Sequence, residues 1–210
     1  MDNNYFFVDG SALLSDIKKI HSANRVSPNS LFNILAFVNY FTGPHFMEFH
    51  VGSYKRFVFY FVKGDDRLQA MIKFPDFKRP GEINDVRIEY CGKRIGQTKR
   101  AREWLDQNNA PNYVREHLYR SEKAVDTQIC CDALQLAAAN RLDRLFLYTN
   151  DYDYVPLCQT LRRMGSNVNL FRIRSDSVNS DLVSEFDAFH TISDNDLHSV
   201  FIIQNPSSTL

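Results

Sequence analysis

The chain is poor in the features that mark most recognisable site classes. It has no stretch of about 18 uncharged apolar residues, so no segment reads as a membrane-spanning helix. Its start, MDNNYFFVDG, lacks the basic and long apolar regions of a secretory leader. The four cysteines, Cys91, Cys130, Cys131 and Cys158, form no CxxC pair. Cys130 and Cys131 are neighbours on a predicted helix and point about 100° apart, which does not suit a shared zinc ion. Reduced thiols and a cytoplasmic location are the expectation. The six histidines show no HxH or HExxH spacing and read as structural or surface residues. GxSxG, GxGxxG and Walker loops are missing, which argues against a serine hydrolase, a dinucleotide enzyme and a P-loop enzyme. Lys+Arg and Asp+Glu are equal at 25 each, so any polyanion-binding surface must be local.

What remains is a well-furnished core. Hydrophobic residues make up 44% of 210, with 17 Phe and 10 Tyr, and there is no repeat or low-complexity block. Residues 5–9 read as a buried strand, with Gly10-Ser11 turning the chain away. Ser27-Pro28 opens a predicted helix carrying Leu31, Ile34, Leu35 and Val38, which Gly43-Pro44 ends. Strands are predicted at 56–63, 85–91, 145–148 and 168–172, with an edge strand at 189–192. Helices are predicted at 103–109, 125–140, 153–164 and 179–186. Strands alternating with helices argue for an α/β fold with a mainly parallel sheet covered on both faces. The expected layout is one domain over 1–195, with an irregular insertion at about 65–120, and a C-terminal tail from 196 to 210 whose end, Gln204–Leu210, is polar.

Two apolar runs end in carboxylates. Tyr5–Val8 is closed by Asp9, and Leu145–Tyr148 runs into Thr149-Asn150-Asp151-Tyr152-Asp153. In parallel α/β sheets ligands sit outside the carboxyl ends of the strands. Asp9 alone could be a turn residue, and Asp151 or Asp153 a helix cap. One Asp suffices as a cap, however, and carboxylates held together repel unless a cation neutralises them. Hard cations such as Mg²⁺ favour a few carboxylates plus water. Asp126, at the start of the 125–140 helix, is either its cap or a further ligand. Asp132, about 240° further round that helix, sits among apolar neighbours and reads as a hydrogen-bonded residue behind the site.

Arg87, Lys93, Arg94, Lys99, Arg100 and Arg102 fall within 16 residues, near Tyr90, Trp104, Tyr113 and Tyr119. Basic residues interleaved with aromatics suit single-stranded nucleic acid, although a solvated loop explains the same pattern. Arg162, Arg163, Arg172 and Arg174 could extend the patch.

The ordered motifs YFFVDGSAL, KAVDTQICCDAL and LFLYTNDYDYVPL, followed by DLVSEFDAF, resemble the NYN domain of the PIN-like nuclease superfamily. The resemblance covers about 5–192 and is weakest over 40–120. It implies a three-layer α/β/α sandwich and a metal-dependent endoribonuclease. Asp9, Asp126, Asp151 and Asp153 would bind Mg²⁺ or Mn²⁺ and activate water. Asp132, Asn150, Ser11 and Thr149 would stand behind these ligands. Lys123, with Lys93, Arg94, Lys99, Arg100 and Arg102, would hold RNA, either single-stranded or structured, tRNA included. The resemblance implies no membrane partner and is compatible with a homodimer. The chain departs from the family pattern at Ser11 and Ala12, where an Asn is usual, and at Asn150 and Tyr152, where small residues are usual. Those departures motivate the alternative of an RNA-binding or regulatory module with weak or no catalysis. A Toprim-like enzyme would need a strand-end Glu where Asp9 stands. A haloacid-dehalogenase would need an Asp where Ser11 stands.

Overall fold

The computed structural model describes residues 3–43, 54–65, 67–75, 86–94, 99–120, 122–173 and 180–203. The strands are β1 (Asn4–Asp9), β2 (Ser30–Asn33), β3 (Tyr54–Val62), β4 (Ile72–Lys73), β5 (Val86–Cys91), β6 (Lys93–Arg94), β7 (Glu122–Lys123), β8 (Arg144–Tyr148), β9 (Asn167–Arg172), β10 (Ala188–Thr191) and β11 (Phe201–Ile203). The helices are α1 (Gly10–Ser22), α2 (Ile34–Thr42), α3 (Arg67–Met71), α4 (Lys99–Gln107), α5 (Asn112–Arg120), α6 (Val125–Ala138), α7 (Val155–Arg163) and α8 (Ser180–Ser184).

Six strands form one sheet in the order β10-β9-β8-β1-β3-β5, and every neighbouring pair is parallel. Helices cover both faces, giving an α/β sandwich. Period-two alternation sends each strand's side chains into two separate cores. Phe6, Val8, Phe57, Phe59 and Phe146 pack with α1 and α2 on one face. Tyr5, Phe7, Val58, Tyr60, Leu145 and Leu147 pack with α6, α7 and α8 on the other. The register sets Phe6 beside Phe57 and Phe146, and its ring stacks on theirs at 4.1 and 4.3 Å between centroids. Three strands are thus tied by one column of rings, which adds to simple area burial.

The chain winds from β1 outwards to β3 and β5, then returns to the other side of β1 to lay down β8, β9 and β10. The switch point lies between β1 and β8, where a ligand crevice opens in sheets of this kind. No described helix is long and apolar enough to cross a membrane.

Several local expectations differ from the structure. Gly10-Ser11 does not turn the chain into a loop, because Asp9 caps α1 directly and the helix starts at Gly10. The predicted helix from Ser27-Pro28 is instead strand β2, since Leu31 and Phe32 pair with β11 and Phe32 also pairs with Ile72 of β4. α2 begins only at Ile34, where the Asn33 side chain accepts from the Leu35 and Ala36 N–H groups. The stretch at 65–120 contains α3, β4, α4, α5 and the main-sheet strand β5. The tail is not wholly free of structure: residues 197–200 form a 3₁₀ turn and β11 pairs antiparallel with β2. Residues 204–210 lie outside the described residues, as do Pro44, Asp85, Arg174 and Asn179.

Candidate functional site

The crevice is built from two neighbouring strand ends. Asp9 closes β1, and Thr149-Asn150-Asp151 leaves β8. Asp9 is 5% exposed, and its Oδ1 accepts from the backbone N–H of Ser11 at 2.8 Å and Ala12 at 3.3 Å. It is therefore the N-cap of α1, which fixes the carboxylate at the mouth of the sheet. Gly10 allows this tight exit, because a Cβ there would lie 2.3 Å from the Phe61 ring and 2.4 Å from the Tyr60 carbonyl oxygen.

Asp151 repeats the device on the adjacent strand. Its Oδ1 accepts from the Asp153 N–H at 2.9 Å, opening the 3₁₀ turn Tyr152–Tyr154 that leads into α7. The Asp151 N–H donates to Thr149 Oγ1 at 3.0 Å. Asn150, Asp151, Tyr152 and Asp153 are all exposed at the surface of this crevice. Tyr154 turns inward, and its hydroxyl donates to Asp126 Oδ1 at 2.8 Å. Burial pushes the Tyr154 phenol far above its usual range, and the charges of Asp9 and Asp126 push it further in the same direction. Asp9 and Asp126 thus face one protonated hydroxyl. Asp126 belongs to the first turn of α6, whose preceding residue Ala124 has a left-handed backbone (φ 82°) and offers no side-chain cap.

Asp132 stands apart from this group. Its Oδ2 accepts from the Tyr60 hydroxyl and its Oδ1 from the Gln128 amide, each at 2.8 Å. Ser11 faces a different groove, of 700 Å³, shared with Ser15, Lys18 and His21. Burial holds the His21 imidazole below its usual range.

One feature of the crevice was not read from sequence. Asp16 of α1 and Arg172 of β9 form a fully buried ion pair, with Arg172 Nε donating to Asp16 Oδ2 at 2.9 Å. Tyr148 donates its hydroxyl to the same oxygen at 2.6 Å, and Arg172 Nη1 donates to the Thr149 carbonyl at 2.6 Å. The guanidinium also lies over the Tyr148 ring, 5.0 Å from its centre. Burial pulls the Arg172 pKa down, and Tyr148 and Asp16 together more than reverse it. This network ties the ends of β8 and β9 to α1, and so sets the start of the Asp151 loop. A signal existed: Asp16 falls within the stripe Leu13, Ile17, Ile20, and Arg172 within the apolar run of β9.

The basic patch is correspondingly smaller than its sequence suggested. Arg172 is excluded from any RNA surface by complete burial. Arg162 is bound to Asp187 at 3.1 Å and donates to the Glu185 carbonyl. Lys99, Arg100 and Arg102 are exposed on α4, with Lys99 near Glu103 at 3.8 Å and Trp104 54% exposed. Lys93, Arg94 and Lys123 are placed only by their backbone: β6 pairs with β7, setting Lys93 opposite Lys123 and Arg94 opposite Glu122. The excursion bearing α4 and α5 therefore leaves the carboxyl end of β5 and returns immediately before Asp126.

The donor set tests whether a cation belongs here. Among the described residues, no group of three or more His, Cys, Asp or Glu side chains is placed to hold a metal ion. Asp9 and Asp126 both act on the Tyr154 hydroxyl, while Asp151 and Asp153 are exposed on the segment that follows β8. Mg²⁺ is held by one or two carboxylates, with waters and substrate phosphate completing its shell. The residues thus offer oxygen donors of the hard-cation kind, singly or in twos, and no ready-made cluster.

Comparison with known families decides the assignment. The NYN domain pattern matches residues 10–194. The chain belongs to the NYN domain family. The family lies within the PIN-like nuclease superfamily, and the match begins one residue after Asp9 and includes Asp126, Asp151 and Asp153. No curated protein sequence matches the chain. Among solved structures, this NYN chain is similar to a protein of unknown function from Vibrio parahaemolyticus, with 15% identity, 96% of this chain and 97% of that chain covered, and a TM-score of 0.48. That likeness is too loose to carry a functional argument.

Proposed function

We propose that this NYN domain is a divalent-metal-dependent endoribonuclease acting at the crevice between β1 and β8. The observation that supports it most is the delivery of Asp9 and Asp151 by adjacent parallel strands at the switch point, with Asp126 reached through Tyr154. Asp9, Asp126, Asp151 and Asp153 would hold Mg²⁺ or Mn²⁺. A bound ion of this kind lowers the pKa of water and offsets charge on a phosphate.

The chain's own residues supply the rest. The N–H groups of Ser11 and Ala12 hold the Asp9 carboxylate, and that of Asp153 holds the Asp151 carboxylate, before any ligand arrives, so little reorganisation is needed. The Tyr154 hydroxyl, protonated at neutral pH like any tyrosine's, donates to Asp126, and its raised pKa extends that donor role into the alkaline range. Asp132 acts behind the site through Tyr60 and Gln128. Exposed Lys99, Arg100 and Arg102, beside Trp104, would contact backbone and bases of a cytoplasmic RNA.

The test is incubation of the protein with total RNA in Mn²⁺, Mg²⁺ or EDTA, beside Asp151→Asn and Asp9→Asn. Asn is itself a good N-cap, so Asp9→Asn removes a charge without uncapping α1. The expected result is metal-dependent fragments that both variants lose. Full activity in either variant would remove that residue from the site.

One observation favours the second reading, a binding module. Asp9 and Asp151 already serve as caps and Asp126 already accepts from Tyr154. RNA retained in EDTA, with no cleavage in any metal, would establish it.

A further inference from the structure

All-parallel sheets are normally covered on both faces and carry apolar residues on each. The α6 face of this sheet breaks that rule along its β3–β5 side. On β3 the residues that alternate toward α6 are Arg56, Val58, Tyr60 and Val62, and on β5 they include Arg87 and Glu89. α6 answers with its own polar stripe, Gln128, Asp132 and Gln135, at helical spacing. Between them runs a groove of 590 Å³, floored by Tyr5, Phe7 and Val58, with Arg141 at its far end.

One end of the groove lies next to the candidate site. Tyr60 is the register partner of Asp9, and Gln128 lies two residues beyond Asp126. From Tyr60 to Arg56 along β3 is about 13 Å, at roughly 3.3 Å per residue. The end nearest the site holds the carboxylates of Glu89 and Asp132, and both are answered: Glu89 pairs with Arg87, and Asp132 accepts from Tyr60 and Gln128. At the other end Arg56 and Arg141 are exposed, and among the described residues neither has an ion-pair partner.

We infer that this groove is a track for the single-stranded segment of RNA flanking the scission point, with Arg56 and Arg141 gripping its backbone phosphates. The inference rests on the proposed nuclease function. Guanidinium groups take phosphates bidentately, and the Gln128 and Gln135 amides offer donors and acceptors to base edges. A strand lying here would run from the arginine end to the Tyr60–Asp132 end, where Tyr60 is the register partner of Asp9.

The test measures binding of a short labelled single-stranded RNA in EDTA across a salt series, beside RNA cleavage in Mn²⁺. Arg56→Ala with Arg141→Ala is compared with Lys19→Ala and Lys73→Ala, which remove the same charge at exposed positions on elements of the α1 side of the molecule. The groove variant is expected to bind about tenfold more weakly, with a slope of log affinity against log salt shallower by about 1.4, two phosphates at about 0.7 each. The control pair is expected to change neither. Equal losses in both variants, or no loss in the groove variant, would overturn the track while leaving the nuclease reading intact. Competition by AMP as effective as by the RNA would overturn it in favour of a mononucleotide pocket. Wild-type protein that neither binds nor cuts RNA would overturn the nuclease reading, and the track with it.

Discussion

Tyr154 donates its hydroxyl to Asp126 at 2.8 Å while Asp9 adds its charge to the same phenol. A neutral donor is thus held where two carboxylates approach, and it softens their repulsion. Tyr154→Phe removes that donor. Loss of one hydrogen bond to a charged group is expected to lower stability by about 1.5–3 kcal/mol. The carboxylates then gain more from a cation than before, and tighter ligand binding to the folded state stabilises it further, with the logarithm of affinity. The Mn²⁺-induced rise in Tm is expected to be larger in Tyr154→Phe than in wild type. A smaller rise would mean that Tyr154 assists the ion and does not substitute for it.

The Asp16–Arg172 pair offers a separate test of how the crevice is held. Breaking a buried pair by removing one partner costs about 3–5 kcal/mol, whereas replacing both with apolar residues is often close to neutral. Arg172→Met and Asp16→Leu are each expected to lose that much in denaturant unfolding. The double variant is expected to recover much of the loss, because no uncompensated buried charge remains. Even then it lacks the donor to the Thr149 carbonyl. RNA cleavage should therefore recover less than stability does.

Gly10 marks the junction of β1 and α1. An alanine methyl would meet the Phe61 ring at 2.3 Å and the Tyr60 carbonyl oxygen at 2.4 Å, so β3 or α1 must shift. Overpacking of this kind costs about 1–3 kcal/mol. Asp9 precedes the clash by one residue and caps the displaced helix, so Gly10→Ala is expected to reduce metal affinity as well as Tm. Calorimetric titration with Mn²⁺ beside a thermal melt separates the two effects.

The parts of this architecture readable in sequence were those with local signals. An apolar run ending in an acid identified β1 with Asp9 and β8 with Asp151, because strand and carboxylate are contiguous. The α6 stripe was equally local. β2 was not legible, because Leu31 and Phe32 become strand only by pairing with Phe201–Ile203, about 170 residues away, and with Ile72. The Asp16–Arg172 bond spans 156 positions, and each residue alone reads as a break in an apolar pattern. α1 escaped notice because the Asp-Gly dipeptide, a turn signal in isolation, is here a cap followed by a close approach. The groove of Arg56 and Arg141 depends on which face of β3 meets α6, and that follows from register.

Buried phenols are expected to set the alkaline limit of the fold. Tyr60, Tyr148 and Tyr154 are all pushed above the ordinary tyrosine value of 10.0 by burial first, and then by Asp132, Asp16, and Asp9 with Asp126 respectively. In the unfolded chain these groups ionise through pH 10, while in the folded protein they remain protonated. The unfolded state therefore binds fewer protons above pH 10, and stability falls as pH rises. Below pH 10 both states hold the protons and the contribution is fully present. Denaturant unfolding is expected to show a decline beginning near pH 10 that Tyr60→Phe makes shallower. Tyrosinate absorbance should titrate in fewer groups for native protein than for protein in denaturant, with the missing groups appearing only as the fold is lost. A native titration that reports all ten tyrosines while the protein stays folded would show that these hydroxyls are not held by their carboxylate partners.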